Sequence, residues 1–273
     1  MILSVQSLVS YGHAGNSSAV FPLQRLGFEV IQIPTVVFSN DTSYPSVHGM
    51  VLDAAQITDI VSGLDEIGVL ASVNAVLSGY LGTAEMGNAV LETIEKVHRY
   101  NPKAFLCVDP VMGDLDTGFY CKSEVKDFFC RNVEKFNVLT PNLFELGTMT
   151  NTKPQSVSEV VNAARSLLAL GPEAVVVTSA GGTKDARMIA VDAGGQWMVS
   201  TPKLDRKFSG CGDVTTAILL ARLQNGDDLS AALSHTASAV YGILRNTSGR
   251  QLALVQAQNE IVAPSIHFEA TAI

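Results

Sequence analysis

Short apolar runs rich in β-branched residues alternate along the chain with stretches whose apolar positions recur at helical spacing. Leu3–Val5 reads as a first strand, followed by Gly12-His13-Ala14-Gly15-Asn16 and a helix running to Leu26, with Pro22 awkwardly inside it. Gly27 ends that helix, and Phe28–Ile33 predicts the second strand. Pro34 to Met50 is polar and turn-rich, so a long functional or mobile loop is expected there. Ile57, Ile60, Val61 and Leu64 mark an amphipathic helix, and Met86, Val90, Leu91, Ile94 and Val97 mark another. Between them lies the short buried strand Ala75–Leu77. Phe105–Val108, Asn137–Leu139 and Val175–Val177 are further strands, separated by helices at Val125–Phe129 and Ser156–Leu168. Met188–Val191 and Gln196–Val199 form a hairpin through Asp192-Ala193-Gly194-Gly195. Three helices close the pattern, at Val214–Gln224, Leu229–Leu244 and Leu252–Ile261.

Strands alternating with helices predict an α/β fold with a mostly parallel central sheet. The 273 residues admit one large domain or two small ones, and no linker-like shift in composition divides them. One domain over 1–273 is expected. Hydrophobic residues make up 47% of the chain, enough for an extensive core. No apolar run approaches the roughly 20 residues that span a bilayer. The first residues are apolar but have no basic leader, so a cytoplasmic protein is expected. The net charge of −8 argues against nucleic-acid or membrane-surface binding, yet leaves room for a local phosphate site. Cys107, Cys121, Cys130 and Cys211 show no paired spacing and read as free thiols.

The candidate chemistry starts at Phe208-Ser209-Gly210-Cys211-Gly212-Asp213-Val214. Its glycines allow a tight turn into a helix whose first N–H groups point at the turn, which makes an anion site. Asp213 at its mouth is either a helix cap or a base. Parallel sheets bind ligands beyond the carboxyl ends of their strands. Polar groups collect at those ends here: Ser7, Tyr80, Asp109, Asp114, Thr140, Asn142, Glu145, Thr178 and Ser179. Each alone has a structural reading, Asp109 as a turn residue and Thr140 or Asn142 as caps. As a set arriving at successive strand ends they read as a site. Oxygen donors Asp114, Asn142 and Glu145 suit Mg²⁺, whereas the five scattered histidines do not suit zinc. Anion site, carboxylate and hard-metal ligands together point to phosphoryl transfer. The chain has no GxxxxGK[ST], so a P-loop enzyme is excluded, and the lack of GxGxxG after strand one weakens a dehydrogenase reading.

These motifs resemble those of the vitamin B6 (pyridoxal) kinases of the ribokinase superfamily, over almost the full chain. The matching segments are Ser4-Val5-Gln6-Ser7, Tyr11 to Asn16, Thr35 to Thr42 and Ser78-Gly79-Tyr80-Leu81-Gly82. Asp109-Pro110-Val111-Met112-Gly113-Asp114, Thr140 to Glu145 and Gly210-Cys211-Gly212-Asp213 complete them. The resemblance implies a ribokinase-like domain with helices on both faces of the sheet. It also implies ATP-dependent phosphorylation of the 5′-hydroxymethyl group of pyridoxal. Asp213 would be the base, and the N–H groups of Gly210, Cys211 and Gly212 the anion hole. Ser7, Thr42 and Tyr80 would hold the substrate ring, with Val36 and Phe38 as its apolar wall. Asp114, Asn142 and Glu145 would organise Mg²⁺ and the phosphates, with Asp114 and Glu145 on the metal mainly through water. Thr140, Thr178 and Ser179 would contact the nucleotide phosphates, Tyr120 would close over them, and Asp109 would lie near the phosphates or a monovalent cation (K⁺ or Na⁺). A homodimer is expected on the same grounds.

The sequence departs from the family at Asp41, where His is common in Ser-Asn-His-Thr, and at Cys211, where Thr is frequent. The stretch Thr178 to Gly182 is also richer in glycine than usual. Two other readings stand beside the pyridoxal kinase: a hydroxymethylpyrimidine-type kinase of the same fold, and a non-catalytic vitamin B6 binding protein.

Overall fold

In the computed structural model, which describes residues 1–182 and 184–273, ten strands form one sheet. Six of them run parallel: β2 (Val30–Asn40), β1 (Ile2–Tyr11), β4 (Ala75–Ser78), β5 (Phe105–Val108), β8 (Val138–Leu139) and β9 (Ala174–Val177), in that spatial order. Beyond β2 lies the short antiparallel β3 (Gly49–Val51). Beyond β9 come β10 (Asp185–Asp192), β11 (Gln196–Pro202) and β12 (Thr271–Ala272), each antiparallel to its neighbour. The expected mostly parallel α/β sheet is present.

Alternation along the strands explains why helices cover both faces. Val76, Leu106, Val108, Val175 and Val177 point into one core, against Ile57 and Val61 of α2 (Ala54–Glu66) and Met86 and Val90 of α3 (Ala84–His98). That layer continues with α4 (Ser123–Arg131), α5 (Leu143–Thr150) and α6 (Val157–Leu168). Their neighbours Ala75, Leu77, Cys107 and Val176 point the other way, against Leu23 of α1 (Asn16–Arg25), Ala217 and Leu220 of α7 (Cys211–Gln224) and Leu233 of α8 (Leu229–Asn246). No helix among the described residues is long and apolar enough to cross a membrane.

Two expectations need correction. Pro34–Met50 is not a loop: β2 runs through Pro34 to Asn40, and the chain returns as β3 to make a hairpin arm. Pro34 is tolerated because the ladder shifts there, Ser7 of β1 lying opposite both Thr35 and Val36. Only Asp41 to His48 is an irregular tip. The second correction is Leu252–Ile261, where only α9 (Gln258–Val262) is helical. Leu252, Leu254, Ala257 and Ile261 are buried, so their spacing records burial, but the Thr247 hydroxyl takes the Ala253 N–H and holds a turn instead. A two-stranded ribbon, β6 (Gly113–Asp114) and β7 (Gly118–Phe119), also stands outside the main sheet.

Candidate active site

The glycine turn forms because Gly210 adopts φ 79°, in the left-handed region, and ends one residue before α7. A Cβ there would run into the His13 carbonyl oxygen and the Ser18 hydroxyl, so only glycine fits. Ser18 Oγ donates to the Gly210 carbonyl at 2.8 Å, pinning the turn against α1. Gly210 is thus the helix cap, which leaves Asp213 as the third helical residue and frees its carboxylate. No protein acceptor among the described residues takes the N–H groups of Gly210, Cys211 and Gly212. They form the donor set that an anion requires.

Asp213 Oδ2 accepts the Gly15 N–H at 2.8 Å, across the whole fold. Burial pushes the Asp213 carboxyl above its ordinary value, and the Gly15 hydrogen bond opposes that only in part. Asp109, at the end of β5, is buried beside this turn; a Cβ on Gly212 would sit 3.4 Å from Asp109 Oδ2. Burial and the nearby charges of Glu145 and Asp213 raise its pKa well above its ordinary value.

Glu145 is 2% exposed in the first turn of α5, where it forms a reciprocal cap with Asn142. Its Oε2 accepts the Asn142 N–H and its Oε1 the Met112 N–H, both at 2.9 Å. Burial nonetheless pushes it up to about 7 against three backbone hydrogen bonds. Asn142 therefore has a capping role, and its Nδ2 also donates to the Gly113 carbonyl at 2.8 Å. Asp114 Oδ1 accepts the N–H groups of Asp116 and Thr117 in the turn of the β6–β7 ribbon. Tyr120 follows that ribbon, half-exposed, and its hydroxyl pKa is raised by burial and then by Glu145, Asp109, Asp114 and Asp213.

The structure thus brings Asp109, Asp114, Tyr120, Asn142, Glu145 and Asp213 into one neighbourhood. Among the described residues no Lys or Arg pairs with these four carboxylates, and no three His, Cys, Asp or Glu converge to cage a metal. That donor set fits Mg²⁺, which uses one or two carboxylates and completes its shell with water and phosphate oxygens. Thr140 is different: it is 1% exposed and its hydroxyl shares a 2.8 Å hydrogen bond with Thr216 Oγ1, inside the fold. Thr178 and Ser179, at the end of β9, are the more accessible hydroxyls.

Gly15 connects Asp213 to the residues expected to hold the alcohol. Ser7 sits at the ladder shift of β1, against Gly15. Thr35 Oγ1 donates to the Tyr80 carbonyl at 2.8 Å, tying the hairpin arm to the β4 end. Val36 is buried on the arm, Phe38 and Tyr80 are half-buried, and Thr42 is exposed at its tip. Sequence reasoning does not single out Gly15, Ser209 or Gln251. Gly15 carries a signal, as a glycine in the loop after strand one, but Gln251 carries none.

Comparison with known proteins places this geometry in a class. The phosphomethylpyrimidine kinase family model matches residues 23–258. A relative named pyridoxal kinase PdxY from Rubrobacter xylanophilus is 44% identical over 98% of this chain and 95% of its own length. Another of that name from Pseudomonas fluorescens is 43% identical over 100% and 97%. Among solved structures, the pyridoxal kinase from Leishmania donovani in complex with ADP and pyridoxine superposes with a TM-score of 0.93 at 27% identity, covering 100% of this chain and 98% of that one. Fold and site therefore define a small-molecule kinase with a ribokinase-like fold. Within that class the chain belongs to the pyridoxal kinase family.

Proposed function

We infer that the protein phosphorylates the 5′-hydroxymethyl group of pyridoxal with ATP, a step of vitamin B6 salvage, and accepts pyridoxine and pyridoxamine by the same chemistry. The observation that carries this is Asp213. It is a free carboxylate beside an open set of N–H donors, fixed by Gly15 at the edge of the alcohol pocket. A primary alcohol is a weak nucleophile, and a positioned carboxylate is the usual remedy.

Asp213 takes the hydroxyl proton as the alcohol oxygen bonds to the γ-phosphorus. The bond from that phosphorus to the β–γ bridging oxygen breaks, and ADP leaves. The N–H groups of Gly210, Cys211 and Gly212 hold the charge that spreads over the transferring oxygens. Thr178 and Ser179 orient the nucleotide phosphates, with Thr140 beneath them, and Tyr120 closes over them. Asp114, and Glu145 through water, would hold Mg²⁺, which neutralises phosphate charge when bound. Asp109 lies beside the same phosphates, where K⁺ or Na⁺ would balance it. Ser7, Thr42 and Tyr80 orient the pyridine ring against Val36 and Phe38. The hairpin arm keeps water out, which limits loss of ATP to hydrolysis.

Residues 1–273 are proposed to act as one catalytic domain, in the cytoplasm. Two copies are proposed to associate: edge strand β3 exposes Met50 and Val51, at 63% and 54%, with Ile60 of α2 also exposed. Light scattering that gives a mass of 28.9 kDa at every concentration would refute the dimer. Formation of pyridoxal 5′-phosphate from pyridoxal, ATP and Mg²⁺, followed by absorbance, tests the activity. A yield no higher than that of Asp213→Asn would overturn it. Because the matched family model is described as phosphomethylpyrimidine kinase, the hydroxymethylpyrimidine should be offered in competition; a clear preference for it would reverse the substrate assignment.

A further inference from the structure

The geometry points to Asp41 as a positioning residue: its carboxylate latches the hairpin arm to the glycine turn and to the loop that fixes the base. This rests on the kinase reading of the site. Asp41 is 5% exposed at a tip where Thr42, Ser43, Pro45 and Ser46 are exposed. Among the described residues no Lys or Arg pairs with it. A buried charge without a counter-ion persists only where several donors satisfy it. Here Oδ1 accepts Ser209 Oγ at 2.8 Å and the Ser43 N–H at 3.0 Å, and Oδ2 accepts Gln251 Nε2 at 3.2 Å. Burial alone would raise its pKa, but these hydrogen bonds outweigh it and hold the carboxyl below its ordinary value.

Those donors come from three separate parts of the chain. Ser209 directly precedes Gly210, the cap of the anion-binding helix. Gln251 passes the link on, because its Oε1 accepts the His13 N–H at 3.0 Å. His13 stands two residues before Gly15, whose N–H holds Asp213. Gln251 Nε2 also donates to the Tyr44 hydroxyl at 3.0 Å, and the Arg250 guanidinium lies 3.8 Å above the Tyr44 ring. One carboxylate therefore joins the arm that carries Val36, Phe38 and Thr42 to both halves of the phosphoryl-transfer apparatus. A neutral imidazole at this position would offer one acceptor and could not satisfy three donors. The arrangement is built for an acid. Closing the arm over Asp213 should favour transfer to the alcohol over transfer to water.

Isosteric exchange tests the latch. Asp41→Asn sets an amide donor against Gln251 Nε2. Turning the Gln251 amide over only moves the conflict to the His13 N–H. Asp41→Asn combined with Gln251→Glu restores a complete set: the amide introduced on the arm donates to the carboxylate introduced opposite it, which still accepts from His13. The single variant is expected to raise KM for pyridoxal about 10-fold, with a smaller change in kcat. It should also raise ATP hydrolysis without pyridoxal, relative to phosphorylation, several-fold. The double variant should return both to within about twofold of the parent. Backbone hydrogen exchange at residues 41–48, in protein without substrates, should quicken in the single variant and recover in the double. A single variant with parental KM, hydrolysis and exchange would overturn the latch, and so would a damaged single variant that the double does not rescue. The exchange arm needs no turnover, so a parent protein that fails to phosphorylate pyridoxal sinks the kinase reading and leaves the latch decided by exchange.

Discussion

Gly15 donates its backbone N–H to Asp213 Oδ2 at 2.8 Å, joining the first loop of the chain to a helix 198 residues later. The two residues solve one problem between them. A carboxylate on the first turn of a helix would ordinarily spend itself on capping, but Gly210 already caps α7 and Asp213 is free. A free carboxylate turns about two side-chain bonds, and a base must be held within reach of one hydroxyl. The Gly15 N–H fixes that orientation, and it comes from the loop that packs on Ser7 of the alcohol pocket.

Gly15→Ala should therefore damage turnover more than binding of nucleotide. Gly15 has φ 55°, and a Cβ would run into the Ser7 carbonyl and hydroxyl, so the loop must shift. Backbone strain of this kind costs about 1–3 kcal/mol. The expected result is a melting temperature lower by several degrees and kcat reduced at least 10-fold, with ADP affinity within a few-fold of the parent. Unchanged kcat would show that the Gly15 hydrogen bond does not position the base.

The pH profile should carry the mark of Asp213. The base works when ionised, and burial raises its pKa above the ordinary Asp value near 3.9. Activity is then full at high pH and falls as pH drops through the raised value. A plot of kcat/KM for pyridoxal should show a unit-slope acid limb whose apparent pKa lies above the ordinary Asp value. An acid limb at or below the ordinary Asp value would contradict this.

How much of this can be read in the chain depends on where each cause lies. Strands Phe105–Val108 and Ala174–Val177 announce themselves because they are buried on both faces and so are apolar throughout. The residues beyond their ends are legible for the same reason, since polar groups there contrast with the runs before them. The hairpin arm reads as a loop because its strand contains Pro34 and ends in Ser39-Asn40, and only the shift opposite Ser7 makes that continuation possible. The 252–261 segment reads as helix because its buried residues imitate helical spacing. In the sequence Asp41 stands out only as an unusual residue. Its partners lie 168 and 210 positions away, at Ser209 and Gln251, and no local pattern foretells them.

Cys211 interrupts the anion-binding turn with a thiol, and its chemistry should be silent. Burial pushes the thiol up to about 11, so about one in a few thousand is thiolate near pH 7.5. Iodoacetamide at that pH should leave Cys211 unmodified in folded protein, as read by peptide mass. The turn works through its N–H groups, so Cys211→Thr should keep kcat/KM within about threefold. Rapid alkylation of Cys211, or a loss of activity beyond 10-fold in the Thr variant, would show that the thiol itself matters.

The uncompensated carboxylates should make the ligand-free protein less stable as pH rises. Glu145 is pushed up to about 7 in the folded state, while an unfolded chain returns it to an ordinary value near 4.3. Between those values the folded state binds the extra proton, so its stability is complete at lower pH and is lost as pH rises through about 7. Asp109, raised by burial and by its acidic neighbours, acts in the same direction. Removing one buried charge relieves the other, because each raises the cost of ionising its neighbour. With EDTA and no nucleotide, the melting temperature should fall between pH 5 and pH 7. Mg²⁺ with ADP should raise it most at pH 8, where the carboxylates are ionised and a cation has the most charge to balance. A melting temperature that rises with pH across this window, or a ligand shift independent of pH, would mean that Glu145 and Asp109 are already ionised in the free protein.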